Sequence, residues 1–341
     1  MQKFKAVIEH ATFYDLSMER DALGKMGVEV VDIVESGADI RKEAVDADAV
    51  MVETETIDRD LIYSMKKCKI IAVYATGYDN IDVKAATERG IFVTNAGNYC
   101  SEEVQDHALA LIMASVRKLF LYSQALKSGN WEKKLGRPVR SLLDLKDLGV
   151  PIKGIPDTVL GIFGFGRIGR GLCRKARCIG FKVIAHDPLV PPEEILKEGA
   201  TPVSFEELLE KSDVISIHAP LTEETRHKFS YNEFKKMKKT AILVNASRGA
   251  ILDEAALVKA LKEGEIQAAA LDVLEEENPP SEDNPLFKLD NVIVTPHCAF
   301  YSERSQMELR RRILNQAMQA LRGEVPDNLV NREVLAKLGR E

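Results

Sequence analysis

The chain has 341 residues, 45% hydrophobic and 29% charged, with a formal net charge of -6. That length suits two buried cores rather than one, and the acidic balance, with Lys and Arg scattered among Asp and Glu, excludes a basic footprint for nucleic acid. The cysteines Cys68, Cys100, Cys173, Cys178 and Cys298 show neither CxxC pairs nor metal-ligand spacing, so reduced thiols and no metal are expected. The start, MQKFKAVIEH, carries no signal-peptide core, and no apolar run reaches bilayer length. A cytoplasmic protein without a membrane partner is the expectation.

The first hundred residues hold five β-rich runs, KAVIE, VEVVDIV, AVMVE, KIIAVYAT and IFVTNAG, separated by helix-length segments. This alternation predicts βα units and a parallel sheet. From Ser101, SEEVQDHALALIMASVRKLFLYSQALKSG predicts one long helix, with Ser and Glu103 at its start and a Gly at its end, too apolar to bury a single face. Residues 132 to 157 are rich in turn formers and predict a surface loop. A second series follows: TVLGIFGFG, FKVIAHDP, DVISIHAP, AILVNAS, AAALDVL and NVIVTPH, six predicted strands, then a helix from Ser302 to Leu321. Two such series predict an α/β protein of two domains.

TVLGIFGFGRIGRGL places Gly164, Gly166 and Gly169 between a predicted strand and a predicted helix, and the next strand ends in Asp187 about 20 residues on. Gly164 permits the tight turn, Gly166 lets backbone approach a pyrophosphate, and Gly169 allows helix to pack on strand. The N–H groups of Arg167 and Ile168, at the positive helix end, suit the phosphates. A carboxylate at Asp187 accepts hydrogen bonds from the adenine ribose and repels a 2'-phosphate, which favours NAD over NADP.

Open α/β sheets bind ligands beyond the carboxyl ends of their strands. Arg248 follows AILVN, Glu275, Glu276 and Glu277 follow AAALDVL, and His297 follows NVIVTP. Hydride transfer between nicotinamide and C2 of a 2-oxo acid needs a proton donor and acceptor at the C2 oxygen, and imidazole serves both ways near neutral pH. A carboxylate on its other nitrogen orients the ring, and a guanidinium fork receives a carboxylate and polarises the carbonyl. Cys298, beside His297, reads better as a small apolar filler than as a nucleophile.

GFGRIG with Asp187, HAPLTEET, NASRG, ALDVLEEE and TPHCAFYSE resemble, in order and spacing, the D-isomer-specific 2-hydroxyacid dehydrogenases, from about Tyr74 to Asn328. Within that family TPHCAFYSERS, EEVQDHALAL and GEVPDNLVN look nearest to the C-terminal-binding-protein corepressors and their bacterial dehydrogenase relatives. The resemblance implies two Rossmann-like doubly wound parallel-sheet domains with a cleft between them. One is a discontinuous substrate domain of residues 1–100 plus 304–341, the other an NAD-binding domain of 101–303. It implies Arg248, Glu277 and His297 as catalytic residues, with His297 the acid and base. Ala75, Thr76 and Gly77 receive the substrate carboxylate by similarity, with Tyr99, Arg248 and Phe300 also at the substrate. Ala219, Pro220, Thr225, Ala246, Ser247 and Asp272 line the NAD site, Asp272 near the nicotinamide amide. The helix from Ser101 belongs by the same likeness to a homodimer interface.

The family usually has Pro directly after its catalytic Glu, whereas Asn278 stands here, so Glu276 remains a rival to Glu277. Phe300 replaces the corepressors' Trp. Glu53, after AVMV, stands where relatives often have a neutral pocket residue, and reads as a side chain pointing to water. His218 fits cofactor packing better than proton transfer, and His107 a satisfied helix histidine. Two functions follow: an NAD-dependent dehydrogenase interconverting a 2-oxo acid and a D-2-hydroxy acid, or an NAD(H)-responsive protein-binding module like the corepressors.

Overall fold

Continuous runs of small and β-branched apolar residues become strands buried along their whole length, as in AVMV, IIAV, VISI and ILVN. Strands covered on both faces by helices have this composition, and parallel pairing requires such crossovers. The computed structural model describes residues 4–10, 12, 13, 15–128, 132, 136–138, 152–276 and 280–340. By its contacts the chain divides into two units, Met1–Tyr99 with Tyr301–Glu341, and Cys100–Phe300.

In the first unit β1 (Phe4–Ile8), β2 (Val28–Asp32), β3 (Ala49–Val52), β4 (Ile70–Val73) and β5 (Phe92–Asn95) form a sheet of order β2-β1-β3-β4-β5. All pairs are parallel. The helix Glu303–Leu321, capped by Ser302, packs on β3, β4 and β5, which brings the last segment of the chain back to the first unit.

In the second unit β6 (Val159–Phe163), β7 (Lys182–His186), β8 (Thr201–Pro202), β9 (Val214–Ile217), β10 (Ile242–Asn245), β11 (Ala268–Leu271) and β12 (Val292–Val294) are parallel in the order β12-β11-β10-β9-β6-β7-β8. The expected α/β class with two doubly wound parallel sheets is borne out. Strand β8 escapes the sequence reading because two residues carry no periodicity.

The single long helix does not form. The segment makes two helices, Ser101–Val116 and Leu119–Lys127, bent by 61°, with Lys118 between them in the left-handed region at φ 53°. The N-cap is Cys100 without a side-chain cap, and Ser101 is already helical. Nor is the apolar surface of the first helix spare. Val104, Ala108, Leu111, Ile112 and Val116 are buried within the second unit. The helix lies on the helix Arg167–Ile179, where a Cβ on Gly171 would overlap the Gln105 side chain. Among the described residues no single helix is long and apolar enough to cross a membrane. The expected loop of 132–157 falls largely outside the described residues.

Candidate active site

The strand order of the second unit reverses between β6 and β9, and the crevice at such a reversal is where open sheets bind ligands. The glycine turn sits there. Gly164 has φ +92°, and a Cβ on it would meet the backbone of His218 and Ala219, the end of β9. A Cβ on Gly169 would overlap the Gly164 carbonyl, so the helix can start this close only without side chains. Gly166 is different, because a Cβ there would enter open space. Packing does not demand glycine at 166, whereas the close approach of a pyrophosphate does, so the turn fits a dinucleotide.

The first intrahelical bond runs from Arg170 N to Gly166 O, which leaves the amides of Arg167 and Ile168 ahead of the helical ladder. The Asp187 carboxylate, one residue beyond β7, accepts from Phe165 N at 2.7 Å and Leu189 N at 2.9 Å. A half-buried anion is thereby pinned beside the glycine turn. Ser247 Oγ donates to the Ala219 carbonyl, and Thr225 Oγ1 donates to the Pro220 carbonyl at 2.7 Å, so these expected cofactor residues belong to one hydrogen-bonded rim.

At the end of β10, Asn245 is fully buried, a residue the sequence reading passed over. Its Oδ1 accepts from Ser247 N at 3.0 Å and its Nδ2 donates to Arg248 O at 2.9 Å, folding Ala246, Ser247 and Arg248 into a fixed turn. The Arg248 Nη1 donates to the Ser247 carbonyl at 2.9 Å. The signal lay in NASRG: a polar residue closing an apolar strand needs partners nearby.

After β12, His297 is exposed, with its backbone at φ 49°. A non-glycine residue in this region is uncommon and concentrates at functional sites. Its N–H donates to Asp272 O at 2.8 Å and Thr295 O at 3.0 Å, and the Phe300 ring stands edge-on at 6.3 Å. The Asp272 carboxylate, 1% exposed, accepts from Thr295 Oγ1 at 2.5 Å, Cys298 N at 3.0 Å and Ala299 N at 2.8 Å. Burial pushes its pKa up, but the hydrogen bonds from His107, Thr295, Ala299 and Cys298 outweigh this and hold it well below the usual carboxylate range. Asp272 is therefore the anionic hub of the segment that carries His297.

Of the three glutamates after β11, Glu275 is engaged elsewhere, bonded to His227 Nε2 at 2.5 Å. Glu276 is exposed, and Glu277, with Asn278, lies outside the described residues. Burial, then the neighbouring Asp272, raises the Cys298 thiol pKa, the opposite of what a nucleophile needs. Burial lowers His218 to about 4, and its Nε2 lies 2.8 Å from Ser216 Oγ, so it is neutral at neutral pH. His107, Asp272 and Cys298 come within 4.8 Å of one another, a grouping of potential metal ligands that sequence spacing does not reveal. Hydrogen bonds to Asp272 account for each of its members.

The sheet of the first unit reverses its order between β1 and β3. Across that point Glu53 Oε2 accepts from Thr12 N at 3.1 Å and Oε1 from Thr12 Oγ1 at 2.7 Å. Glu53 is thus tied to the loop after β1 rather than pointing to water as expected. Beneath it the buried Glu9 carboxylate accepts from Glu53 N, Thr54 N, Glu55 N and Thr54 Oγ1. Next along the rim, Asn95 Nδ2 donates to Thr76 O at 2.7 Å, Thr76 Oγ1 to Gly97 O at 2.7 Å, and Ala96 N to Ala75 O at 2.9 Å. These bonds hold the segment of Ala75, Thr76 and Gly77 against the end of β5. Tyr99 is buried at the close of the same unit.

The profile of the D-isomer specific 2-hydroxyacid dehydrogenase NAD binding domain matches residues 109–299. A glyoxylate reductase of Thermococcus litoralis is 43% identical over 288 residues, 84% of each chain. A D-3-phosphoglycerate dehydrogenase of Archaeoglobus fulgidus is 38% identical over 313 residues, 91% of this chain but 56% of its own length. Among solved structures, a D-lactate dehydrogenase of Aquifex aeolicus, complexed with NAD and lactic acid, superposes with a TM-score of 0.82. It is 26% identical, with 96% of this chain and 99% of that one covered. Relatives of these kinds correct the expectation of a corepressor branch: the similar proteins are reductases and dehydrogenases.

Proposed function

This chain belongs to the D-isomer specific 2-hydroxyacid dehydrogenase family, and we propose that the 2-oxo acid it reduces is glyoxylate, the substrate named by one group of its relatives. It is an NAD-dependent oxidoreductase acting between a 2-oxo acid and a D-2-hydroxy acid. When bound, the nicotinamide supplies or accepts the hydride at C2.

His297 gives the proton to the C2 oxygen in reduction and takes it back in oxidation. Arg248 polarises that carbonyl and pairs with the substrate carboxylate, which the backbone of Ala75, Thr76 and Gly77 also receives. Glu277 is the carboxylate partner of the imidazole in this reading. Tyr99 and Phe300 border the substrate. Gly164, Gly166 and Gly169 with the amides of Arg167 and Ile168 hold the pyrophosphate, Asp187 the adenine ribose. Ala219, Pro220, Thr225, Ala246, Ser247 and Asp272 line the remainder of the dinucleotide.

The observation that carries glyoxylate over a phosphorylated acid is the charge of the first unit's carboxyl rim. The segments 9–16, 53–58, 74–82 and 96–100 contain Glu9, Asp15, Glu53, Glu55, Asp58, Asp79 and Asp82 and no Lys or Arg. Of these acids Asp58 is paired with Arg41, and other arginines nearby are already committed, Arg310 to Glu19 and Arg312 to Glu308 and Asn98. A substrate with one carboxylate and no second anion tolerates this field, whereas a phosphate meets like charge without a partner. With NADH, kcat/KM for glyoxylate should exceed that for the phosphorylated 2-oxo acid corresponding to D-3-phosphoglycerate by roughly 100-fold or more. Glu53→Gln should narrow the gap by roughly tenfold, the size of one partly screened like-charge contact. Preference for the phosphorylated acid by wild-type enzyme would overturn the reading.

We also propose a homodimer. Support comes from the helix Leu119–Lys127, where Leu119, Phe120 and Leu126 expose apolar side chains. Light scattering should give a dimer mass for the wild type and a monomer for a variant with Ser at all three positions. A monomeric wild type would rule the dimer out.

A further inference from the structure

We propose that His107 is a positioning residue for hydride transfer, holding His297 in its working place through Thr295 and Asp272. The proposal rests on the reading of His297 as acid and base.

His107 stands on the helix Ser101–Val116, 188 residues from Thr295 in sequence. Its Nε2 lies 3.1 Å from Thr295 Oγ1 and 3.4 Å from Asp272 Oδ1. The direction of each bond follows from counting protons. A carboxylate only accepts, so the single hydroxyl proton of Thr295 goes to Asp272 Oδ1 at 2.5 Å. Thr295 Oγ1 can then only accept from His107, and Nε2 must carry hydrogen.

The resulting chain runs from His107 to Thr295 to Asp272, then through Cys298 N and Ala299 N on the carboxylate and His297 N on the Asp272 carbonyl. The first bond ties the segment 295–299 to the helix Ser101–Val116, and the others tie it to the buried end of β11. That restraint matters because His297 sits at φ 49°, a conformation costing roughly 1–2 kcal/mol for a residue with a Cβ and kept only where its surroundings impose it. Without the His107 donor, Thr295 and Asp272 lose the contact that anchors them to the helix, and the segment relaxes toward ordinary backbone. A displacement of about 1 Å at an acid–base group costs as much as 100-fold in rate.

The test is a series of variants assayed with NADH and glyoxylate. In His107→Leu, kcat should fall by roughly 10- to 100-fold, NADH affinity read by nicotinamide fluorescence should change far less, and the pH profile of kcat/KM should shift. In His107→Gln, whose amide nitrogen reaches the same hydroxyl, kcat and the profile should return toward wild type. Thr295→Val removes the bridging hydroxyl without touching the helix, and His107→Leu added to it should bring no further loss. Wild-type kcat and pH profile in His107→Leu, equal damage by Gln and Leu, or additive losses in the double variant would each overturn the proposal. His297→Asn in the same series separates the two ideas. Full activity there removes the acid–base reading and the positioning role with it, whereas an inactive His297→Asn beside an unaffected His107→Leu removes the positioning role alone.

Discussion

Enzyme carrying His297→Asn is expected to bind NADH as the wild type does and to reduce glyoxylate with a kcat roughly 10²- to 10⁴-fold lower, the usual worth of a positioned proton donor. Asparagine is the informative replacement because of the backbone. His297 lies in the left-handed region, and its N–H serves Asp272 O and Thr295 O. Asn tolerates that region better than other residues with a Cβ and keeps the amide, so it removes the imidazole and spares the turn. His297→Val would strain the turn as well and should also lower the thermal midpoint. Retention of more than about a tenth of wild-type kcat by His297→Asn would remove this residue from the proton transfer.

The second large effect is expected from one methyl group. A Cβ on Gly249 would overlap the carbonyl of Leu274 and come within 2.6 Å of Glu275 N. The obstacle is backbone, which cannot rotate away as a side chain can. Gly249→Ala must therefore push the loop after β10 away from the loop after β11, and Arg248 precedes the methyl directly while Glu275 and Glu276 lie on the far side. Overpacking of this kind costs roughly 1–3 kcal/mol of stability. The larger consequence is at the site, where Arg248 and the carboxylate after β11 lose their spacing and kcat/KM should fall by roughly 100-fold. Denaturant unfolding and steady-state kinetics check both parts. An alanine variant with wild-type kcat/KM would mean that the two loops do not need this close approach.

Gly249 shows why part of the site was legible and part was not. NASRG marked Arg248 because an arginine at a strand end is a local feature, read without knowing what faces it. That the glycine beside it exists to admit the Leu274 carbonyl depends on a segment 25 residues away. The same division separates His297, marked by TPH after an apolar run, from Asp272, whose part as hub of the 295–299 segment appears only when β11 and β12 lie side by side. Glu53 looks solvent-facing in the sequence because Thr12, its partner, stands 41 residues earlier. The bend at Lys118 is invisible in the sequence since helical periodicity runs through it, and the break is a single left-handed residue that composition does not announce.

The amino-acid order alone determined the α/β class, the eleven longer strands, the dinucleotide turn and the strand-end order of arginine, acid and histidine. Those features are written in short-range terms: a two- or 3.6-residue period, a glycine where a Cβ cannot fit, a polar residue closing an apolar run. Tertiary structure decided the bend at Lys118, the left-handed backbone of His297, the tie between Glu53 and Thr12, and the bond from His107 to Thr295. The last three depend on contacts between segments far apart in the chain, whose free energy exists only once the sheet of their own unit has formed.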